Sequence, residues 1–137
     1  MAKVLIVEDE DFYRRRLLSM LAPFFVMYAV SRLSEAISTA QNYDAVLLDI
    51  NLPDSRIEET VANMKHNHPS CAIVVLSGFE DPDRIKQCIL DSASNYLIKG
   101  KDDKDPELLA SAIRTAIYSN NANLKADMAK RLINGGK

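Results

Sequence analysis

Five short apolar runs punctuate this chain: Lys3 to Val7, Phe24 to Val30, Ala45 to Leu48, Cys71 to Leu76 and Tyr96 to Ile98. Four of them are nearly continuous Val, Ile and Leu rather than alternating, which is how strands buried on both faces of a parallel sheet read. Between and after the runs, apolar residues return at helical spacing: Leu17, Met20, Leu21 and Phe24; Leu33, Ala36, Ile37 and Ala40; Ile57, Val61 and Met64; Ile85, Cys88 and Ile89; Leu109, Ala112, Ile113, Ala116 and Ile117. Each strand is thus followed by one helix. Asp81-Pro82 and Asp105-Pro106 each put an N-cap aspartate before a proline at the first helical position, marking the last two helix starts. The pattern predicts an α/β fold, a (βα)5 doubly wound five-stranded parallel sheet, because parallel strands need right-handed crossovers and leave helices on both faces. Ser119-Asn120-Asn121 breaks the pattern, so a domain over residues 1–119 is expected, followed over 120–137 by a helical tail or linker carrying Leu124, Met128 and Leu132.

Composition narrows the function classes. A chain of 137 residues that is 47% hydrophobic supports one sizeable core. Its 17 Lys+Arg against 19 Asp+Glu leave a formal charge of −2, so nothing electrostatic points to direct contact with nucleic acid or an anionic membrane. With only 4 glycines, neither a dinucleotide-binding fingerprint nor a P-loop can be written, and the nucleophile elbow of serine hydrolases is missing too. His66 and His68 read as the solvated end of a helix, and Cys71 and Cys88, without C-x-x-C spacing, as reduced core residues. The apolar stretch from Leu17 to Val30, preceded by Arg14-Arg15-Arg16, imitates a signal peptide. It is too short to span and is interrupted by Ser19 and Pro23, so a cytoplasmic location is expected.

The residues that follow the strands carry the chemistry. Glu8-Asp9 follow the first run, Asp49 the third, Ser77 the fourth and Lys99 the fifth. In a parallel sheet all these carboxyl ends share one edge, where ligands gather. Clustered carboxylates outnumbering a single lysine repel one another unless a cation neutralises them, and an all-oxygen set with room for water or phosphate suits Mg²⁺. Glu10 and Asp11 read instead as acids favoured at the first turn of the next helix.

Val-Glu-Asp at 7–9, Leu-Leu-Asp-Ile-Asn-Leu-Pro-Asp at 47–54, Val-Leu-Ser-Gly at 75–78 and Asn-Tyr-Leu-Ile-Lys at 95–99 together resemble the receiver domain of two-component response regulators, over roughly residues 2–119. The resemblance implies a flavodoxin-like three-layer sandwich with strand order 2-1-3-4-5. It implies that Asp49 accepts a phosphoryl group from the phosphohistidine of a sensor histidine kinase or phosphotransfer protein. Asp9, Asp49 and the Asn51 carbonyl would hold Mg²⁺, Glu8 acting through a water, while Lys99 and Ser77 engage the phosphoryl group and Tyr96 serves as the aromatic switch. Such a domain is no turnover enzyme but assists its own phosphorylation and dephosphorylation. The output, a partner or a fused domain, would be reached through the face made by the fourth helix, fifth strand and fifth helix; a phosphorylation-dependent homodimer is a further option.

Two departures from the family pattern stand out. Gly100 replaces the usual proline after the lysine, ahead of an insertion-like Lys101-Asp102-Asp103-Lys104, a variant that resembles receivers fused to sensory or cyclic-dinucleotide output domains. Ser55 stands where glycine is common, so the turn after Asp49 has to form without glycine's freedom at positive φ. Rival readings fare less well. Haloacid-dehalogenase-like phosphatases require D-x-D-x-T, against Asp49-Ile50-Asn51-Leu52-Pro53 here, and a flavin binder needs a phosphate loop where this chain has Glu8-Asp9-Glu10-Asp11. A non-phosphorylated pseudo-receiver, an interaction module alone, is the main alternative.

Overall fold

Backbone hydrogen bonds join five parallel strands in the order β2-β1-β3-β4-β5 in the computed structural model, which describes residues 1–135. The strands are β1 (Lys3–Val7), β2 (Val26–Val30), β3 (Ala45–Leu48), β4 (Ala72–Ser77) and β5 (Asn95–Ile98). They alternate with α1 (Asp11–Leu21), α2 (Leu33–Ser38), α3 (Ile57–Asn67), α4 (Pro82–Leu90) and α5 (Pro106–Gly135). This is the doubly wound order implied by the family resemblance. β1, β3 and β4, the central strands, are buried almost throughout, whereas the edge strands β2 and β5 are half-buried.

Because strand side chains alternate between faces, each central strand feeds two cores. Val4, Ile6, Leu47, Val74 and Leu76 pack against Leu17 and Leu21 of α1 and Leu109, Ile113 and Ala116 of α5. Leu5, Val7, Val46, Leu48, Ile73 and Val75 pack on the other face against Leu33 and Ala36 of α2, Val61 and Met64 of α3 and Cys88 of α4. Both cysteines are buried, unpaired thiols, and burial pushes the Cys71 thiol up to about 12.

The expected boundaries shift where a backbone group is spent elsewhere. Phe24 and Phe25 donate their N–H groups to Leu21 O at 2.9 and 3.2 Å, so they close α1 and β2 starts only at Val26. Cys71 N–H likewise bonds His68 O at 3.1 Å, leaving β4 to begin at Ala72. The break expected at Ser119-Asn120-Asn121 does not occur, since α5 runs through it without interruption. Asn120 is buried there, its amide donating to Ser70 O at 2.9 Å, and this anchor outweighs asparagine's small helix penalty. Residues 136 and 137 of the expected tail lie outside the described residues. No described helix is long and apolar enough to cross a membrane.

Start signals at the last two helices act as written, with Asp81 accepting from Asp83 N and Asp105 from Glu107 N. Helix α2 obtains its cap from elsewhere in the chain: Asp54 accepts from Leu33 N at 3.0 Å and Ser34 N at 2.9 Å. The slight burial of Asp54 works to raise its pKa, but those backbone donors outweigh it and hold the carboxyl below the usual aspartate range. A lowered carboxyl contributes stability that is present above the unfolded-state value and is lost as pH falls through the folded one. Asp54→Ala should therefore cost about 1 kcal/mol at neutral pH, as cap deletions do. Urea unfolding of the two proteins should show that gap closing on acidification below about pH 3.9, the ordinary aspartate value; a gap independent of pH would reject the charged cap.

Candidate phosphoacceptor site

The carboxyl edge of the sheet positions Glu8, Asp49 and Lys99 through their own main chain. Glu8 N–H bonds Val30 O at 3.1 Å, Asp49 N–H bonds Val7 O at 3.0 Å and Lys99 N–H bonds Ser77 O at 2.9 Å, so each residue continues the ladder by one position beyond its strand. Their side chains open into a cleft of about 370 Å³ lined by Glu8, Asp9, Asp49, Asn51, Ser77 and Lys99.

Lys99 is the hub. Its ammonium donates to Glu8 Oε1 at 2.6 Å and lies 3.4 Å from Asp49 Oδ2, across 91 and 50 positions of sequence. Asp49 Oδ1 accepts from Asn51 N at 2.9 Å, and Glu8 Oε2 accepts from Glu10 N at 3.1 Å. Arg14 Nη1 donates to the Glu8 carbonyl at 2.9 Å, pinning the same residue from the helix side. Glu8 and Asp49 are buried while Asp9 is exposed, and one oxygen from each of the three lies within 4.8 Å of the others. No other group of three such ligating residues is found among the described residues.

Electrostatics follow from that crowding. Burial is the main reason the Glu8 carboxyl is pushed up to about 7; its bond to Lys99 opposes the rise, and the Asp49 charge adds to it. Burial disfavours the Lys99 charge, but the Glu8 and Asp49 carboxylates outweigh it and raise the ammonium above its ordinary value.

Ser77 ends β4 fully buried, its Oγ accepting from Phe79 N at 3.1 Å. Tyr96 is half-buried on β5, and its hydroxyl donates to Phe79 O at 2.8 Å. Both side chains thus hold the same residue of the loop after β4. Glu10 caps α1 by accepting from Tyr13 N at 3.1 Å, and Asp11 pairs with Arg14 and Arg15, as the first-turn reading expects. His68 ends α3, with a ring nitrogen 2.9 Å from Ala36 O. Ser55 does without glycine, since among the described non-glycine residues only Ser92 has positive φ; its Oγ lies 2.7 Å from Thr60 Oγ1 instead. Gly100 does use the left-handed region, at φ 82.

Sequence reasoning missed two neighbours of the lysine. The Tyr13 ring centroid lies 4.8 Å from Lys99 Nζ, and the Tyr13 hydroxyl donates to the buried carboxylate of Asp103. The available signal was position alone: Tyr13 sits on the first turn of the helix that leaves the acidic edge, but so does Phe12, which faces solvent, so the sequence did not single Tyr13 out.

A parallel sheet in this order, with acids after β1 and β3, a hydroxyl closing β4 and a lysine after β5, is the arrangement of a receiver. The family model for the response regulator receiver domain matches residues 4–114, and the chain belongs to that family. It is 32% identical over 98 residues to a cyclic di-GMP phosphodiesterase of Thermotoga maritima, covering 70% of this chain and 26% of that one. It is 28% identical to the transcriptional regulatory protein LnrK of Bacillus subtilis, covering 100% of this chain and 63% of the relative. The chain therefore spans less than two thirds of the length of either. The receiver domain of an HD domain-containing protein from Pseudomonas fluorescens superposes with TM-score 0.77 at 22% identity, over 88% of this chain and 98% of that one.

Proposed function

We propose that this receiver takes a phosphoryl group onto Asp49 from the phosphohistidine of a sensor histidine kinase or phosphotransfer protein. The observation that carries the reading is the convergence of Glu8, Asp9 and Lys99 on a buried Asp49 at the carboxyl edge of the sheet. A carboxylate oxygen of Asp49 attacks phosphorus; the phosphorus–nitrogen bond of the donor breaks and its electron pair leaves with the imidazole. Asn51 N–H fixes the rotation of the attacking carboxylate before the donor arrives. Lys99, already beside Asp49, is placed to meet charge on the transferred oxygens.

The donor set fits a hard divalent ion. Its carboxylates are all oxygen ligands, one is exposed, and the cleft leaves room for water and phosphate. Asp9, Asp49 and the Asn51 carbonyl would hold Mg²⁺, with Glu8 acting through a water; when bound, the ion supplies charge neutralisation at the phosphoryl oxygens. In the reading's test, wild-type protein incubated with a small acyl phosphate and Mg²⁺ gains the mass of one phosphoryl group, and excess EDTA abolishes the gain. No gain under either condition would make the chain a pseudo-receiver.

Ser77 and Tyr96 then supply the readout. To serve the phosphoryl group Ser77 must turn its O–H toward Asp49; because its Oγ also accepts from Phe79 N–H, the loop is drawn with it, and Tyr96, bonded to Phe79 O, is coupled to the same shift. A swing from about 1:99 to 99:1 needs on the order of 5.5 kcal/mol, more than one neutral hydrogen bond contributes, so Lys99 must share in it. The signal would leave through the face of α4, β5 and α5, toward a separate partner, an output domain or a second copy. Beyond Asn120, α5 is exposed or half-buried at every position described, which suits a connector between this domain and an adjoining module. Relatives named as a phosphodiesterase and as a transcriptional regulator support more than one kind of output. Amide spectra with a beryllofluoride mimic should show residues 80–100 responding in wild type and much less in Ser77→Ala; identical responses would remove Ser77 from the switch.

A further inference from the structure

We propose that Tyr13 and Asp103 form a positioning pair for Lys99, the ring holding the ammonium at the phosphoryl site while the carboxylate holds the ring. The proposal rests on the phosphoacceptor reading of Asp49. Lys99 is held by Glu8 and Asp49, two carboxylates of the cluster assigned to the metal. Oxygen atoms drawn toward a divalent cation attract a neighbouring ammonium less. The Tyr13 ring, 4.8 Å from Nζ, belongs to none of those ligands and keeps its attraction for the ammonium whatever the cluster binds.

A ring positions a cation only if it is itself fixed, and here it is fixed at its far end. The Tyr13 hydroxyl donates to Asp103 Oδ2, and Asp103 Oδ1 accepts from Gly100 N at 2.9 Å. Asp103 is 1% exposed, so both bonds are made out of water and compensate the burial of its charge. Gly100 directly follows the lysine at φ 82, and Asp102 Oδ2 accepts from Ile98 N at 2.7 Å just before it. The run Lys101–Lys104, which looks like an insertion in sequence, thereby clamps the backbone on both sides of Lys99 and ties it to α1. Burial and the Asp103 bond push the Tyr13 hydroxyl far above its ordinary pKa, so it stays a donor throughout the working range.

The test separates positioning from packing. Tyr13→Leu removes the ring, Tyr13→Phe keeps it but frees it from Asp103, and Asp103→Asn removes the carboxylate charge. With saturating Mg²⁺ and a fixed concentration of phosphoramidate, uptake should slow about 10-fold in Tyr13→Leu and about 3-fold in each of the others, the span of a partly desolvated cation–ring contact. The double variant Tyr13→Phe/Asp103→Asn should be slowed by less than the product of the two single effects, because both changes weaken one link. In ¹³C,¹⁵N-lysine-labelled protein without metal or donor, the ring-current shift of the Lys99 ε-methylene should vanish in Tyr13→Leu and diminish in Tyr13→Phe and Asp103→Asn. A Lys99 resonance unchanged in all three variants overturns the proposal, even if rates fall, and so does an unchanged rate in Tyr13→Leu. Should Tyr13→Leu fail to fold, the other two variants decide by the same criteria. Wild type that takes up no phosphoryl group would overturn the acceptor role of Asp49 instead, while the lysine resonance still reports on the pair.

Discussion

Asp49→Asn should take up no phosphoryl group from an acyl phosphate under conditions in which wild type is modified to one equivalent. The amide oxygen is a poor nucleophile, and the neighbouring carboxylates are differently placed: Glu8 is tied to Lys99 by a 2.6 Å bond, against 3.4 Å for Asp49, and Asp9 is exposed. The fold should survive, since an amide oxygen can still accept from Asn51 N–H and Lys99 keeps its shorter bond to Glu8. Stability by urea unfolding should therefore stay within about 1 kcal/mol of wild type, the scale of one exchanged hydrogen bond. Intact mass spectrometry decides the matter: a single phosphoryl adduct on Asp49→Asn would mean that the acceptor lies elsewhere.

Asp9→Ala should nearly abolish the stabilisation that Mg²⁺ confers while leaving the metal-free protein as stable as before or more so. Its side chain is exposed, yet one oxygen lies within 4.8 Å of Glu8 and Asp49 oxygens, so in the absence of metal it adds repulsion. A ligand at ten times its dissociation constant stabilises by about 1.4 kcal/mol, and a site weakened 100-fold retains less than about 0.1 kcal/mol. For a domain of this size that is a shift in Tm of roughly 4 °C in wild type and under about 1 °C in the variant. Equal shifts in thermal melts of both proteins would place the ion elsewhere.

Much of this architecture is legible in one dimension because burial leaves a local signature. A strand covered on both faces must be apolar at every position, as Val46-Leu47-Leu48 and Ile73-Val74-Val75-Leu76 are, so strand number and type can be read directly. The chemistry sits where the apolar runs stop, and parallel connectivity alone sends those stops to one edge. Glu8, Asp9, Asp49, Ser77 and Lys99 could thus be picked out as neighbours before any distance was known.

Other features depend on pairs of residues whose relation appears only in space. The choice of Glu8 over Asp9 as the main partner of Lys99, the Asp54 cap on a helix that begins 21 residues earlier, and the Tyr13–Asp103 link across 90 positions each need coordinates. The starts of β2 and β4 and the unbroken course of α5 through Asn120 belong to the same class, because they were settled by where particular N–H groups and one buried amide found acceptors. Apolar patterning is local, since each residue reports its own exposure to water. A hydrogen bond is specific to about 3 Å, and only the packed sheet and helices bring distant polar groups that close.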